Sequence, residues 1–258
     1  MIEEINFHIK ELDMMKKYPS ALSFIGDISL LKKKKISIIG SRKPNQYARY
    51  KTEELAKKLS QSGVCIVSGG AIGVDAISHK AAGSNNTIVV AATGLDKRYP
   101  AINKNLIEEI EHNGLVLSQF EKGSPSTKYN FVLRNELVVA LGDILIVTYA
   151  DLKSGSMRSV EYALKMGKEI YVLSHRIGES EATNKLLKEG KAKAIYEIDD
   201  FVKEFGNLKI ENKKSDDFLD FCRGNPSYDE TVSKFPSRVF EAELSGEIEI
   251  KNGFIVLA

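Results

Sequence analysis

The chain has 258 residues, of which 43% are hydrophobic and 28% charged, with a formal net charge of +2. That length holds one large domain, or a large and a small one, and no apolar stretch approaches the roughly 18 to 20 residues that span a bilayer. A net charge so near zero excludes a simple polycation. The acidic start, Met1-Ile2-Glu3-Glu4, leads into no apolar run with a small-residue cleavage site. A cytoplasmic location without membrane attachment is therefore expected.

Residues 1–34 read as a short lead-in, closing on the lysine run Lys32 to Lys35, which is expected to be solvated. From Lys35 onward, β-branched runs alternate with helical segments: Ile36-Ser37-Ile38-Ile39, Val64-Cys65-Ile66-Val67, Thr87-Ile88-Val89-Val90-Ala91, Leu115-Val116-Leu117, Ile144-Leu145-Ile146-Val147, Ile170-Tyr171-Val172-Leu173 and Ala194-Ile195-Tyr196. Each run is too apolar for a sheet with one wet face. Such strands imply a parallel sheet covered on both sides, with right-handed crossovers. The expected fold is α/β, an extended Rossmann-like doubly wound sheet over residues 35–206. Helices are predicted from Asn45 to Ser62, stopped by Gly63, and from Phe131 to Leu141, stopped by Gly142.

Residues 207–216 are polar enough for a linker. Over 217–258 the pattern gives helices at Phe218 to Cys222, Tyr228 to Ser233 and Pro236 to Leu244, then a hairpin turning at Asn252-Gly253. Three helices and a hairpin suggest a small winged-helix-like domain. From Gly206 onward there are seven Lys and Arg against ten Asp and Glu, a net of −3, which leaves +5 on the first 205 residues. Any polyanion site thus belongs to the larger domain.

In an open parallel sheet, ligands sit beyond the carboxyl ends of the strands, where helix N-termini present free N–H groups. Four segments fall there. Gly40-Ser41-Arg42-Lys43 offers a guanidinium fork for phosphate. Ser68-Gly69-Gly70-Ala71 resembles a nest of N–H groups. Lys153-Ser154-Gly155-Ser156 supplies hydroxyls and a cation. Lys128, Phe131, Arg134 and Asn135 interleave cations with an aromatic ring, as single-strand binders do, although Phe131 also suits a core position.

Other chemistries lack their residues. Ser68 stands where a dinucleotide fingerprint needs its first glycine, and no acid ends the following strand, so NAD is disfavoured. No phosphate-binding G-x-x-x-x-G-K-[ST] loop or nucleophile elbow occurs. Cys65 and Cys222 have no partners at metal-ligand spacing, and Cys65 reads as a buried strand residue. Asp75 and His79 lie one helical turn apart and read as capping and packing groups rather than an acid and base pair. No catalytic residue, metal or cofactor is expected.

The series Ile38-Ile39-Gly40-Ser41-Arg42, Ser68-Gly69-Gly70-Ala71-x-Gly73-Val74-Asp75-x-x-x-His79, Gly94-Leu95-Asp96-x-x-Tyr99-Pro100, Phe131-x-x-Arg134-Asn135, Ser154-Gly155-Ser156 and Thr183-Asn184 before Leu186 resembles the DprA/Smf family, from about Tyr18 to Phe205. The resemblance implies a non-enzymatic dimer that binds and protects incoming single-stranded DNA during natural transformation and helps load the recombinase RecA. It carries DNA contacts most directly to Arg42, then to Ser68 through Ala71, to Lys128 and Phe131, and to Lys153 through Ser156. Glu136 departs from the family's Arg-Asn-Arg. A rival reading is a Rossmann-fold nucleotide phosphoribohydrolase with the motif P-G-G-x-G-T-x-x-E. Lys153 to Glu161 keeps its glutamate but loses two glycines and the threonine. A third reading, a transcription regulator with the large domain as effector sensor, has less in its favour.

Overall fold

The computed structural model describes residues 1–206, 217–251 and 253–257, in two compact units, Met1–Leu208 and Lys209–Ala258. In the first unit, β1 (Glu3–Glu4) and β2 (Ser23–Gly26) precede seven mutually parallel strands. These are β3 (Lys35–Ile39), β4 (Cys65–Ser68), β5 (Thr87–Val90), β6 (Leu115–Ser118), β7 (Ile144–Val147), β8 (Ile170–Leu173) and β9 (Lys193–Ile195). The sheet order is β1-β2-β6-β5-β4-β3-β7-β8-β9, with β1 and β2 forming an antiparallel edge against β6.

Every residue of β3 through β8 is buried, as a sheet covered on both faces requires. Strand alternation sends Ile36, Ile38, Ile66, Ile144 and Ile146 to one core. There they meet α1 (Gln46–Gln61) and α2 (Val74–Ala82) through Leu55, Leu59 and Val74. Val89 and Val116 pack instead on Ile107 and Ile110 of α3 (Lys104–Asn113). Ile39, Val67, Val90, Leu117 and Val147 face the opposite core, beneath α4 (Lys128–Leu141), α5 (Ser156–Lys165) and α6 (Glu181–Lys188). The short α7 (Ile198–Phe205) returns to the first core through Phe201 and Val202. Among the described residues no helix is long and apolar enough to cross a membrane.

The first 34 residues do more than lead in. Besides β1 and β2 they form 3-10 turns at Lys10–Met14 and Ile28–Lys32, and bury Leu12, Leu22, Phe24 and Leu30 in the α4 side of the core. Elements of two to five residues leave no hydrophobic period to read. Nor is the lysine run wholly solvated. Lys35 is 3% exposed, and its Nζ donates to Glu11 Oε1 (2.8 Å), Leu31 O (2.7 Å) and Lys33 O (3.0 Å).

The second unit contains α8 (Asp217–Cys222), α9 (Tyr228–Lys234) and α10 (Pro236–Ser245), followed by antiparallel β10 (Ile248–Lys251) and β11 (Phe254–Leu257). Phe218, Cys222, Val239, Ala242, Ile248 and Ile255 make its core. The expected linker over 207–216, and Asn252 of the expected turn, lie outside the described residues.

The chain leaves β3 toward β4, β5 and β6 on one side, then returns to place β7, β8 and β9 on the other. The carboxyl ends of β3 and β7 therefore flank a topological switch point, where such sheets open a crevice. Gly40 to Lys43 and Tyr149 to Gly155 emerge there.

Candidate nucleic-acid interface

The loop after β3 is held by its backbone. Ser41 N–H donates to Tyr149 O (2.8 Å), Ser41 O accepts from Val74 N–H (3.1 Å), and Ser41 Oγ accepts from Lys43 N–H (3.1 Å). The approach of α2 depends on Gly73, whose φ is +83° and where a Cβ would come within 2.4 Å of Ser41 O. With the loop fixed, Arg42 projects outward. It is exposed, and its Cζ lies 5.5 Å from the centre of the Phe131 ring.

Phe131 and Arg134 share one face of α4, being three residues apart, and the helix start is capped by Thr127 accepting from Asn130 N–H (3.1 Å). Arg134 Cζ is 5.7 Å from the same ring, so two guanidinium groups attend one aromatic face system. Tyr99 adds a second ring, 5.8 Å from Phe131 and tilted by 53°. Opposite stands the start of α5, which has no side-chain cap and is preceded by the buried, unpartnered Ser154 Oγ. Arg42, Phe131, Arg134 and the α5 start border a cleft of about 370 Å³.

The floor holds buried ionisable groups. Arg134 is 4% exposed; its Nη1 donates to Val90 O (3.2 Å), while its Nε has no partner among the described residues. Gly69 permits this, since a Cβ there would lie 1.5 Å from Arg134 Nη1. Burial pushes the Asp75 carboxyl above its usual range, against the pull of the Arg134 charge and an N–H bond from Ala71 (3.3 Å). Beside them His79 is fully buried. Thr87 Oγ1 donates its proton to Ile66 O (2.7 Å), so His79 Nδ1 is the donor in its 2.7 Å bond to Thr87, and Nε2 is an unpartnered acceptor. This geometry gives His79 no access to a substrate.

Burial, reinforced by Arg134, lowers the His79 pKa from 6.5 to about 3. Between those values the unfolded chain binds a proton that the folded one refuses. The His79 contribution to stability is thus expected to be fully present above pH 6.5 and to fall by about 1.4 kcal/mol per unit as the pH drops toward 3. Urea unfolding of the wild type and His79→Gln across this range checks the sign; parallel stability curves would contradict it.

Of the residues expected from sequence, Ser41, Arg42, Gly69, Ala71, Phe131, Arg134, Asn135, Ser154, Gly155 and Ser156 line the cleft. Ser68 does not: it is fully buried and its hydroxyl donates to Ile38 O (2.6 Å). Gly70 has φ +70° and its carbonyl accepts from Asn103 Nδ2 (2.9 Å), which shapes the loop from behind. Lys128 and Lys153 are exposed and outside the lining, as cations that a longer ligand could reach. Asp75 and Ser159 are additions to this lining, and Tyr99 lines an adjoining pocket with Arg42, Phe131 and Arg134. Tyr99 belongs to the Gly94 to Pro100 motif, whose sequence alone gives it no role, and its proximity to Phe131 requires the fold.

The chain matches the family model for DNA recombination-mediator protein A over residues 4–206. It is 35% identical to DNA processing protein DprA of Streptococcus pneumoniae over 72% of this chain and 67% of that one. It is 32% identical to DprA of Bacillus subtilis over 75% and 66%. It thus spans about two thirds of the length of these relatives. A solved structure of DNA processing protein A from Helicobacter pylori, described for its unique single-stranded DNA binding mode, aligns with TM-score 0.78 and 41% identity over 79% of this chain and 95% of that one. The S. pneumoniae DprA structure aligns with TM-score 0.73 and 32% identity over 80% and 74%. With the sheet, the cleft and these relatives in agreement, the chain belongs to the DprA/Smf family.

Proposed function

We propose that this protein binds single-stranded DNA along the strand-end cleft, without catalysing a reaction on it. The observation that carries the reading is the Phe131 ring with the guanidinium groups of Arg42 and Arg134 at 5.5 and 5.7 Å from its centre, in one cleft with the hydroxyls of Ser154 and Ser156. A base stacks on such a ring for about 1–3 kcal/mol while cations follow its phosphates. Lys128 and Lys153 extend the cationic path. The single-stranded DNA binding mode described for the H. pylori relative supports the same ligand.

In this reading the protein acts in the cytoplasm as a homodimer, protects DNA taken up in transformation, and helps load RecA onto it. The family's description as a recombination mediator supports that role. The acidic C-terminal unit, with helices and hairpin in the order of a winged helix, serves a protein contact rather than reading duplex DNA. The phosphoribohydrolase alternative needs its glutamate at the cleft. Glu161 instead lies exposed on α5, 2.8 Å from Arg158 Nη1.

Titration against labelled oligo-dT, duplex of equal length and AMP separates these readings. Tight binding of the oligonucleotide over the other two is expected. Base release from AMP without oligonucleotide binding would overturn the proposal. Sedimentation equilibrium tests the dimer, and RecA ATP hydrolysis on single strands coated with a single-strand-binding protein tests loading.

A further inference from the structure

We propose that a second pocket on the same rim holds a base of the bound strand through its N–H donors, guanine above all, with Glu179 as the selecting acceptor. The inference rests on the single-strand reading above. The pocket, of about 440 Å³, is lined by Asn45, Tyr47, Ser174, His175, Arg176 and Glu179. His175 follows β8, two strands from β3, a lateral step of about 10 Å. Tyr149 joins the two sites. Its carbonyl accepts from Ser41 N–H at the cleft, and its ring meets His175 edge-on at 5.2 Å.

The lining has the character of a base site. Tyr47 is 45% exposed and packs edge-on against His175 at 5.5 Å, leaving ring surface open. His175 Nε2 is 2.8 Å from Thr148 O, which can only accept, so Nε2 donates there. Nδ1 is buried and has no partner among the described residues. Glu179 Oε2 accepts from Asn45 Nδ2 (3.2 Å), and Oε1 has no hydrogen bond among the described residues. A carboxylate in the wall repels phosphate and favours N–H groups. Guanine presents two adjacent donors, N1–H and the 2-amino group; thymine presents one between two carbonyls. Arg176, exposed at the mouth, suits the backbone.

The pocket is also preorganised. Asn184 Nδ2 donates to the carbonyls of His175 (3.4 Å), Arg176 (3.2 Å) and Glu179 (3.0 Å). Ser180, at φ +44°, accepts from Ala150 N–H (2.9 Å) and bonds Thr183 Oγ1 (2.7 Å). Thr183-Asn184, a motif with no part in the cleft, thereby sets the loop that carries Glu179.

The test uses the full chain, oligo-dT and an equally long dT strand with isolated dG substitutions. The dG strand is expected to bind about tenfold tighter, the size of one well-placed bidentate base contact. In Glu179→Gln the amide oxygen keeps the bond from Asn45 and turns its NH₂ toward the base. The preference should then shrink to within about twofold. Equal wild-type affinities, or a preference that survives Glu179→Gln, would overturn the pocket assignment. Binding of dGMP alone as tightly as the dG strand would make the pocket a mononucleotide site and overturn it too. No binding of oligo-dT at all would instead overturn the single-strand reading.

Discussion

Arg42→Ala is expected to weaken oligo-dT binding by about 10- to 100-fold, across all sequences alike. The magnitude follows from removing a charged hydrogen-bond donor to phosphate, worth about 1.5–3 kcal/mol. Arg42 is suited to that role because its backbone is pinned while its guanidinium is exposed beside the Phe131 ring. Little ordering remains to be done when DNA arrives. The slope of log affinity against log salt should shallow by about 0.7 for each phosphate that the variant no longer neutralises. Fluorescence anisotropy at several salt concentrations measures both quantities. A weaker but equally salt-dependent complex would mean that Arg42 acts through Phe131 and not on phosphate. Phe131→Ala is the natural companion, since removing the stacking platform should reduce affinity and leave the salt slope where it was.

Much of this site is legible in the chain because strand ends are legible. Ile36 to Ile39 and Ile144 to Val147 are apolar at every position but Ser37, which marks a sheet buried on both faces with ligands beyond its carboxyl ends; which of those ends flank the crevice needs the strand order. What sequence cannot resolve is which way a polar group in those loops turns. The Ser68 hydroxyl could meet a ligand or a neighbouring strand, and only the register of β3 against β4 brings Ile38 O within its reach. Gly69 and Gly70 look alike in an N–H nest. One is needed because Arg134 lies against it, the other for its positive φ. The first 34 residues are opaque for a different reason: their elements are shorter than any period that could reveal them.

Arg134 is where the two kinds of information diverge most, and it carries the largest expected effect on stability. Its spacing from Phe131 marks it as a cation of the site, whereas it lies buried against Gly69, bonded to Val90 O, with its charge drawing down the Asp75 pKa that burial raises. Arg134→Met should therefore cost about 1–3 kcal/mol, since the buried Val90 O loses its donor and the Asp75 carboxylate loses the nearby charge that favours it. Asp75→Asn alone should destabilise for the converse reason. The double variant, Asp75→Asn with Arg134→Met, is expected to be more stable than the sum of the single effects by at least about 1 kcal/mol, because neither charge then remains uncompensated. The chain has no tryptophan, so urea unfolding followed by circular dichroism or tyrosine fluorescence is the suitable measurement. Additive single effects would show that the two groups are not coupled, and that Arg134 is held by Val90 O alone. If coupling is found, the double variant also asks what the floor charge does for binding. A stable cleft that keeps Arg42 and Phe131 but no longer binds oligo-dT would assign to Arg134 a direct part in holding the strand.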